Sequence, residues 1–158
     1  GESTTIGRLM MRYGLDAGIR ELAAAGAPIW GTCAGLILLA KHVIASSQPL
    51  LGLMDITVRR NAFGRQVESF EVELPIPALG EARFKGVFIR APLIEEAGPD
   101  VSILAEFNGK AVLARQGQFL ASAFHPELTD DLRLHEYFIG MCAANYGKCR
   151  DMYTASAG

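Results

Sequence analysis

Apolar residues come in short runs, and their spacing changes along the chain from helical to alternating. Residues 6–13 and 16–25 repeat apolar positions at helical spacing, and Gly26 is a natural stop for the second helix. Leu9, Met10, Met11, Ile19 and Leu22 are expected to face the core, because helical apolar stripes usually pack inward. A strand over 27–30, a glycine-flanked turn and a helix over 36–41 come next. Residues 56–58, 67–74, 84–90, 102–107, 110–115 and 118–124 alternate or run apolar like strands. Asn108-Gly109 and Gln116-Gly117 read as hairpin turns joining the last three. Thr129 or Asp130 is placed to cap a final helix through Tyr146, where Leu132, Tyr137, Phe138 and Met141 recur at roughly helical spacing. The small, polar residues beyond, 147–158, read as a flexible tail. The pattern therefore predicts one α/β domain over 1–146, without a repeat or linker that would divide it.

The strand, turn and helix in the middle of this pattern carry the strongest chemical signal. Cys33 sits in Gly31-Thr32-Cys33-Ala34-Gly35, so a sharp bend would expose its thiol as a nucleophile. Glycines on both sides let the backbone turn tightly and approach a substrate. At the start of a helix, unpaired N–H groups are expected to favour the thiolate and could hold an oxyanion. The competing reading is a buried structural cysteine between packing glycines.

Phe124-His125-Pro126-Glu127, after the apolar segment 118–123, supplies a second site. A strand continuing through His125 would send His125 and Glu127 to one side of the sheet. Pro126, lacking an N–H, would end the ladder there. A lone histidine after a strand is more often structural. A cysteine, a histidine to take its proton and an acid to orient the ring nevertheless match the triad logic of acyl transfer.

With these residues in view, the chain resembles the class I (triad) glutamine amidotransferases, and among them the glutaminase subunits of pyridoxal phosphate synthase, the vitamin B6 pathway enzyme. The resemblance rests on Gly-Thr-Cys-Ala-Gly-Leu at 31–36, the opening Gly1-Glu2-Ser3-Thr4-Thr5, and the stretches 60–66, 86–92 and 122–129. It runs in order from the first residue to about Tyr146. It implies the three-layer class I amidotransferase fold with a mainly parallel mixed sheet. That fold would lack its first elements here, since family members carry a strand, a helix and a second strand before the Gly-Glu-Ser segment. Leu93 stands where the family commonly has histidine, and Arg59 replaces a frequent acidic residue.

The resemblance also implies roles. Cys33 would attack the side-chain amide of glutamine, His125 would relay protons, and Glu127 would orient the imidazole. Gly1, Glu2 and Ser3 match the family's glutamine-binding loop, and Arg60, Ile89 and Arg90 match other glutamine-contacting positions. Backbone N–H groups of Ala34 and of the Gly1 loop would form the oxyanion hole. Ammonia would pass to a synthase subunit in a hetero-oligomeric complex. A glutamine zwitterion suits such a site, since arginine can hold its carboxylate and a carboxylate or carbonyl its ammonium. No metal or cofactor is required. Without the resemblance, Arg59-Arg60 would read equally well as a solvated basic pair. Two alternatives remain at this level: an elbow-cysteine hydrolase acting on another substrate, and a non-catalytic synthase-binding subunit.

Composition narrows the setting. In 158 residues the formal net charge is −2, with mixed signs and so no electrostatic case for nucleic acid or an anionic membrane. The longest apolar runs fall far short of a membrane span. Cys33, Cys142 and Cys149 have neither a paired framework nor a metal spacing, so a reducing cytoplasm is the expected compartment. Cys142 is expected in the core of the last helix.

Overall fold

A computed structural model describes residues 2–64 and 68–156, the stretch 146–156 by its backbone alone. The chain opens with two helices, α1 (Glu2–Arg12) and α2 (Leu15–Ala24), divided at Gly14, whose φ of 72° suits glycine. Strand β1 (Ile29–Thr32) runs into the short helix α3 (Ala34–Leu39), and β2 (Ala40–Val43) follows α3 without a connecting turn. Next come β3 (Met54–Arg59), β4 (Ser69–Leu74), β5 (Phe84–Ile89), β6 (Leu93–Ala97), β7 (Ser102–Phe107), β8 (Lys110–Gln116) and β9 (Phe119–Ser122). A 3-10 turn over Pro126–Leu128 precedes the last helix, α4 (Arg133–Ser156).

Seven strands form one mixed sheet in the order β1-β9-β8-β6-β3-β2, with β7 paired to β8. The parallel pairs, β1 with β9 and β3 with β2, lie at its two ends, and the strands between are antiparallel. Strands β4 and β5 form a separate two-stranded sheet. Asn108 and Gly109 join β7 to β8 with φ of 50° and 74°, as a two-residue Asn-Gly hairpin requires. The β8–β9 turn is centred one residue later than expected, on Gly117 and Gln118, because Gln116 still pairs with Phe119.

Helix α3 lies at the centre: Leu36, Ile37, Leu38 and Leu39 are all buried, together with Met54, Ile56, Val58, Leu113 and Leu120 from the strands and Phe124 just after β9. Six phenylalanines continue this core toward the small sheet. Phe70 and Phe88 stack at 4.8 Å, Phe63 and Phe107 lean on them, and Phe124 links Phe88 to Phe84.

Several expectations are corrected. Strands β2 and β6 carry no clear alternation and were not anticipated. The expected helix over 36–41 begins at Ala34 and stops at Leu39, because Ala40 turns extended at φ −67°, ψ 154° and pairs with Met54. Leu9, Met11 and Leu22 are exposed, and only Met10 and Ile19 of that group pack on the core. The reason is that α1 and α2 form a thin outer layer packed on each other, with α1 against α3, so much of their apolar surface stays uncovered. Helix α4 starts at Arg133, after Asp131 rather than Thr129 or Asp130, since the Asp131 carboxylate accepts the Arg133 N–H at 3.1 Å. Its backbone stays helical past Tyr146 to Ser156, where no proline interrupts it. Cys142 is half-buried, while Met141 beside it is fully buried. The side chain of Cys149 lies outside the described residues.

Candidate active site

Cys33 stands between β1 and α3 with φ 51° and ψ −103°, a conformation L-residues rarely adopt. The bend is held from both sides. Its N–H donates to the Ser122 carbonyl of β9 at 2.8 Å, and its carbonyl accepts the Ile37 N–H at 3.3 Å. Gly31 makes the bend possible: a Cβ there would fall 2.5 Å from the Gly35 carbonyl carbon and 2.7 Å from Leu39 Cδ1. A Cβ on Gly35 would meet nothing within 4 Å, so the two glycines do different work.

His125 follows β9 but does not lie on a strand, contrary to expectation. Its N–H donates to the Val87 carbonyl of β5 at 2.8 Å, and its own carbonyl accepts the Leu128 N–H across the 3-10 turn. That turn brings Glu127 back onto the ring, with Nδ1 2.6 Å from Glu127 Oε1. A carboxylate can only accept, so Nδ1 carries the proton and Nε2 is left as the basic nitrogen. The expected pairing is thus present, produced by a turn instead of by strand alternation.

A cavity of about 630 Å³ is lined by Cys33 and His125 together with Glu2, Ser3, Ala34, Arg60, Ile89 and Arg90. Those eight were singled out from the sequence. Glu127 stands behind His125, off the wall. Gly1 lies outside the described residues, as do Arg65 and Gln66 of the quoted stretch. Glu2 and Ser3 belong to the first turn of α1 and not to a loop. Among the described residues Ile37, Asn61, Glu68 and Ser69 also line the cavity and were not foreseen. Asn61 directly follows Arg60, which was a usable signal, whereas Glu68 and Ser69 carried none. Cys33, Asn61 and Arg90 all have positive φ, at 51°, 48° and 45°. Backbone strain is therefore gathered around the cavity.

Charges of both signs face this space. Arg60 Nη1 donates to Thr4 Oγ1 at 3.1 Å, and Arg90 lies 3.6 Å from Glu68, which also accepts the Arg90 N–H at its carbonyl. The Cys33 thiol donates to the Ile89 carbonyl at 3.8 Å, and among the described residues it makes no hydrogen bond to His125. Burial pushes this thiol up from its ordinary pKa; the Ala34 N–H pulls it down, and Glu2 and Glu127 push it further up. The expected thiolate at a helix start is corrected, because α3 is short and desolvation outweighs its N–H groups. Among the described residues, no group of three or more His, Cys, Asp or Glu is gathered that could hold a metal ion. No helix among them is long and apolar enough to cross a membrane.

The sequence model of the SNO glutamine amidotransferase family matches residues 1–144. The chain is 58% identical over 150 residues to the pyridoxal 5'-phosphate synthase subunit PdxT of Pelotomaculum thermopropionicum, covering 95% of this chain and 76% of the relative. It is 60% identical to the PdxT of Moorella thermoacetica, covering 89% and 75%, and 62% identical to that of Geobacillus kaustophilus, covering 89% and 71%. Among solved structures, a crystal structure of a glutamine amidotransferase superposes with a TM-score of 0.85 at 50% identity, over 90% of this chain and 76% of that one.

Proposed function

Because the chain belongs to the SNO glutamine amidotransferase family, we propose that Cys33, His125 and Glu127 act as its catalytic triad on the side-chain amide of L-glutamine. The protein is a glutaminase, the glutamine amidotransferase subunit of pyridoxal 5'-phosphate synthase, and its ammonia serves vitamin B6 synthesis. The single observation that carries the triad is one cavity walled by Cys33 and by a His125 whose Nδ1 is fixed by Glu127.

The chemistry follows from those positions. His125 Nε2 takes the thiol proton as Cys33 Sγ attacks the amide carbon, and the carbonyl oxygen becomes an oxyanion facing the Ala34 N–H and the backbone at the start of α1. His125 then returns the proton to the amide nitrogen, the C–N bond breaks and ammonia leaves, with the acyl group held as a thioester on Cys33. Water, deprotonated by His125, attacks the thioester and releases glutamate. Arg60 and Arg90 hold the substrate carboxylate, and the carboxylate of Glu2 and the carbonyl of Ile89 hold its ammonium. A thiol turned to Ile89 and held protonated is a resting arrangement, which suits activation by the synthase subunit in a hetero-oligomeric complex. The setting is a reducing cytoplasm, where a lone nucleophilic thiol persists.

Ammonia release from glutamine, measured with and without the synthase subunit, tests this reading. Release stimulated by the partner is expected. No release from a folded chain in the complex would overturn it.

A further inference from the structure

We propose that Gln48, which does not line the cavity, is a positioning residue that sets the cavity's α1 wall and its Arg60 through one hydrogen-bonded relay. The proposal rests on the reading of the cavity as the glutamine site. Ser3 forms part of the wall, yet the residue is only 3% exposed and its hydroxyl donates to Gln48 Oε1 at 3.3 Å. Thr4 Oγ1 donates to the same oxygen at 3.4 Å and accepts Arg60 Nη1 at 3.1 Å.

The directions are fixed by inventory. Thr4 has one hydroxyl proton and receives the guanidinium on its lone pair, so its own proton is free to go to Gln48. The charge on Arg60 polarises the whole line, and each bond strengthens the next. The far end is anchored. Gly7 of α1 lies so near the Pro49 carbonyl oxygen that a Cβ would sit 2.8 Å from it. The Leu51 N–H donates to the Leu38 carbonyl at 2.7 Å, and Arg20 Nη2 donates to the Leu50 carbonyl at 2.9 Å. The 48–51 segment is thereby tied to α1, α2 and α3 at once. Among the described residues Gln48 Nε2 is buried without a partner, so the amide's contribution here comes through what its oxygen accepts.

Removing the acceptor should loosen Arg60 and the first turn of α1 while leaving Cys33 and His125 untouched. In the complex with the synthase subunit, Q48M is expected to raise KM for glutamine about tenfold, the size of one net hydrogen bond to a charged line, with kcat within about twofold of wild type. Q48E, which keeps the accepting oxygen and removes the orphan N–H, is expected to recover most of that loss. T4V breaks the relay from its other side, so the Q48M/T4V pair should cost little more than either change alone. An unchanged KM in Q48M overturns the proposal. So do additive effects in the pair, or equal losses in kcat and KM accompanied by a lower melting temperature. If Q48M does not fold, T4V against T4S decides the matter by the same KM and kcat split. A wild-type complex that releases no ammonia would instead remove the glutamine reading, and this proposal with it.

Discussion

Gly31 and Gly35 meet backbone to backbone beneath Cys33, and only Gly31 lacks room for a side chain. The contact lets β1 pass directly under the first turn of α3, which is what throws Cys33 into its strained bend. Gly31→Ala should therefore cost about 1–3 kcal/mol or more, since backbone and the well-packed Leu39 must both move, and should reduce glutamine hydrolysis with it. Gly35→Ala meets open space inside a helix and should leave stability unchanged or raised by up to about 1 kcal/mol. Denaturant unfolding of the two variants checks the contrast. Equal destabilisation would mean that the packing beneath Cys33 is not what holds the bend.

The triad makes a graded prediction. Cys33→Ala and His125→Asn should abolish ammonia release while leaving the melting temperature close to wild type, because neither side chain lies in the buried core. Glu127→Gln should cost less, about ten- to hundredfold, against the roughly 10²–10⁴-fold supplied by a general acid–base group. Glu127 is half exposed, so water can replace part of its hold on Nδ1. Loss of folding in all three would make these residues structural instead.

The elbow and the His-Pro-Glu pair were legible because each is a short motif whose geometry is local. Elements decided by distant partners were not. Leu93, Ile94 and the acidic pair after them become β6 only by lying between β3 and β8. Ala40-Lys41-His42-Val43 continues an apolar helical run without a turn residue, and extends only because β3 is there to pair with it. Gln48 sits among Ser46, Ser47 and Pro49 like any loop residue, and its link to Ser3 and Thr4 crosses more than forty positions. The thiol failed differently: the helix-terminus rule was sound, but the burial that outweighs it belongs to the tertiary structure.

Burial of Cys33 makes its reactivity depend on pH in a definite direction. A thiol raised above its ordinary pKa stays protonated at neutral pH, so alkylation by iodoacetamide in the isolated chain should rise to its midpoint at a pH above that of a free thiol. The same shift means that the contribution of the neutral thiol to stability is present below the unfolded pKa and fades as pH rises through the folded one. The rate is followed by mass spectrometry on the Cys33 peptide, which separates it from Cys142 and Cys149. A midpoint below that of a free thiol would show that the helix terminus outweighs burial after all.

Arg133 gives the fold a second sensitivity, at acid pH. Its guanidinium is held by both oxygens of Asp131, at 3.0 and 2.6 Å, and donates to the carbonyls of Leu79, Ala82 and Arg83 at 3.3, 2.7 and 3.0 Å. One side chain thus fastens the start of α4 to the loop before β5. Lysine cannot reproduce that fork, so Arg133→Lys should lower the melting temperature nearly as far as Arg133→Ala. The hydrogen bonds from Arg133 hold the Asp131 carboxyl below its usual range, against a smaller opposing effect of burial. A depressed carboxylate contributes stability that is present above its unfolded pKa and lost as pH falls through its folded one. Asp131→Asn should accordingly lower the melting temperature at neutral pH and flatten its fall under acid conditions, leaving variant and wild type nearly equal at the acid end. Parallel melting curves for the two across the acid range would mean that the pair is not coupled to folding.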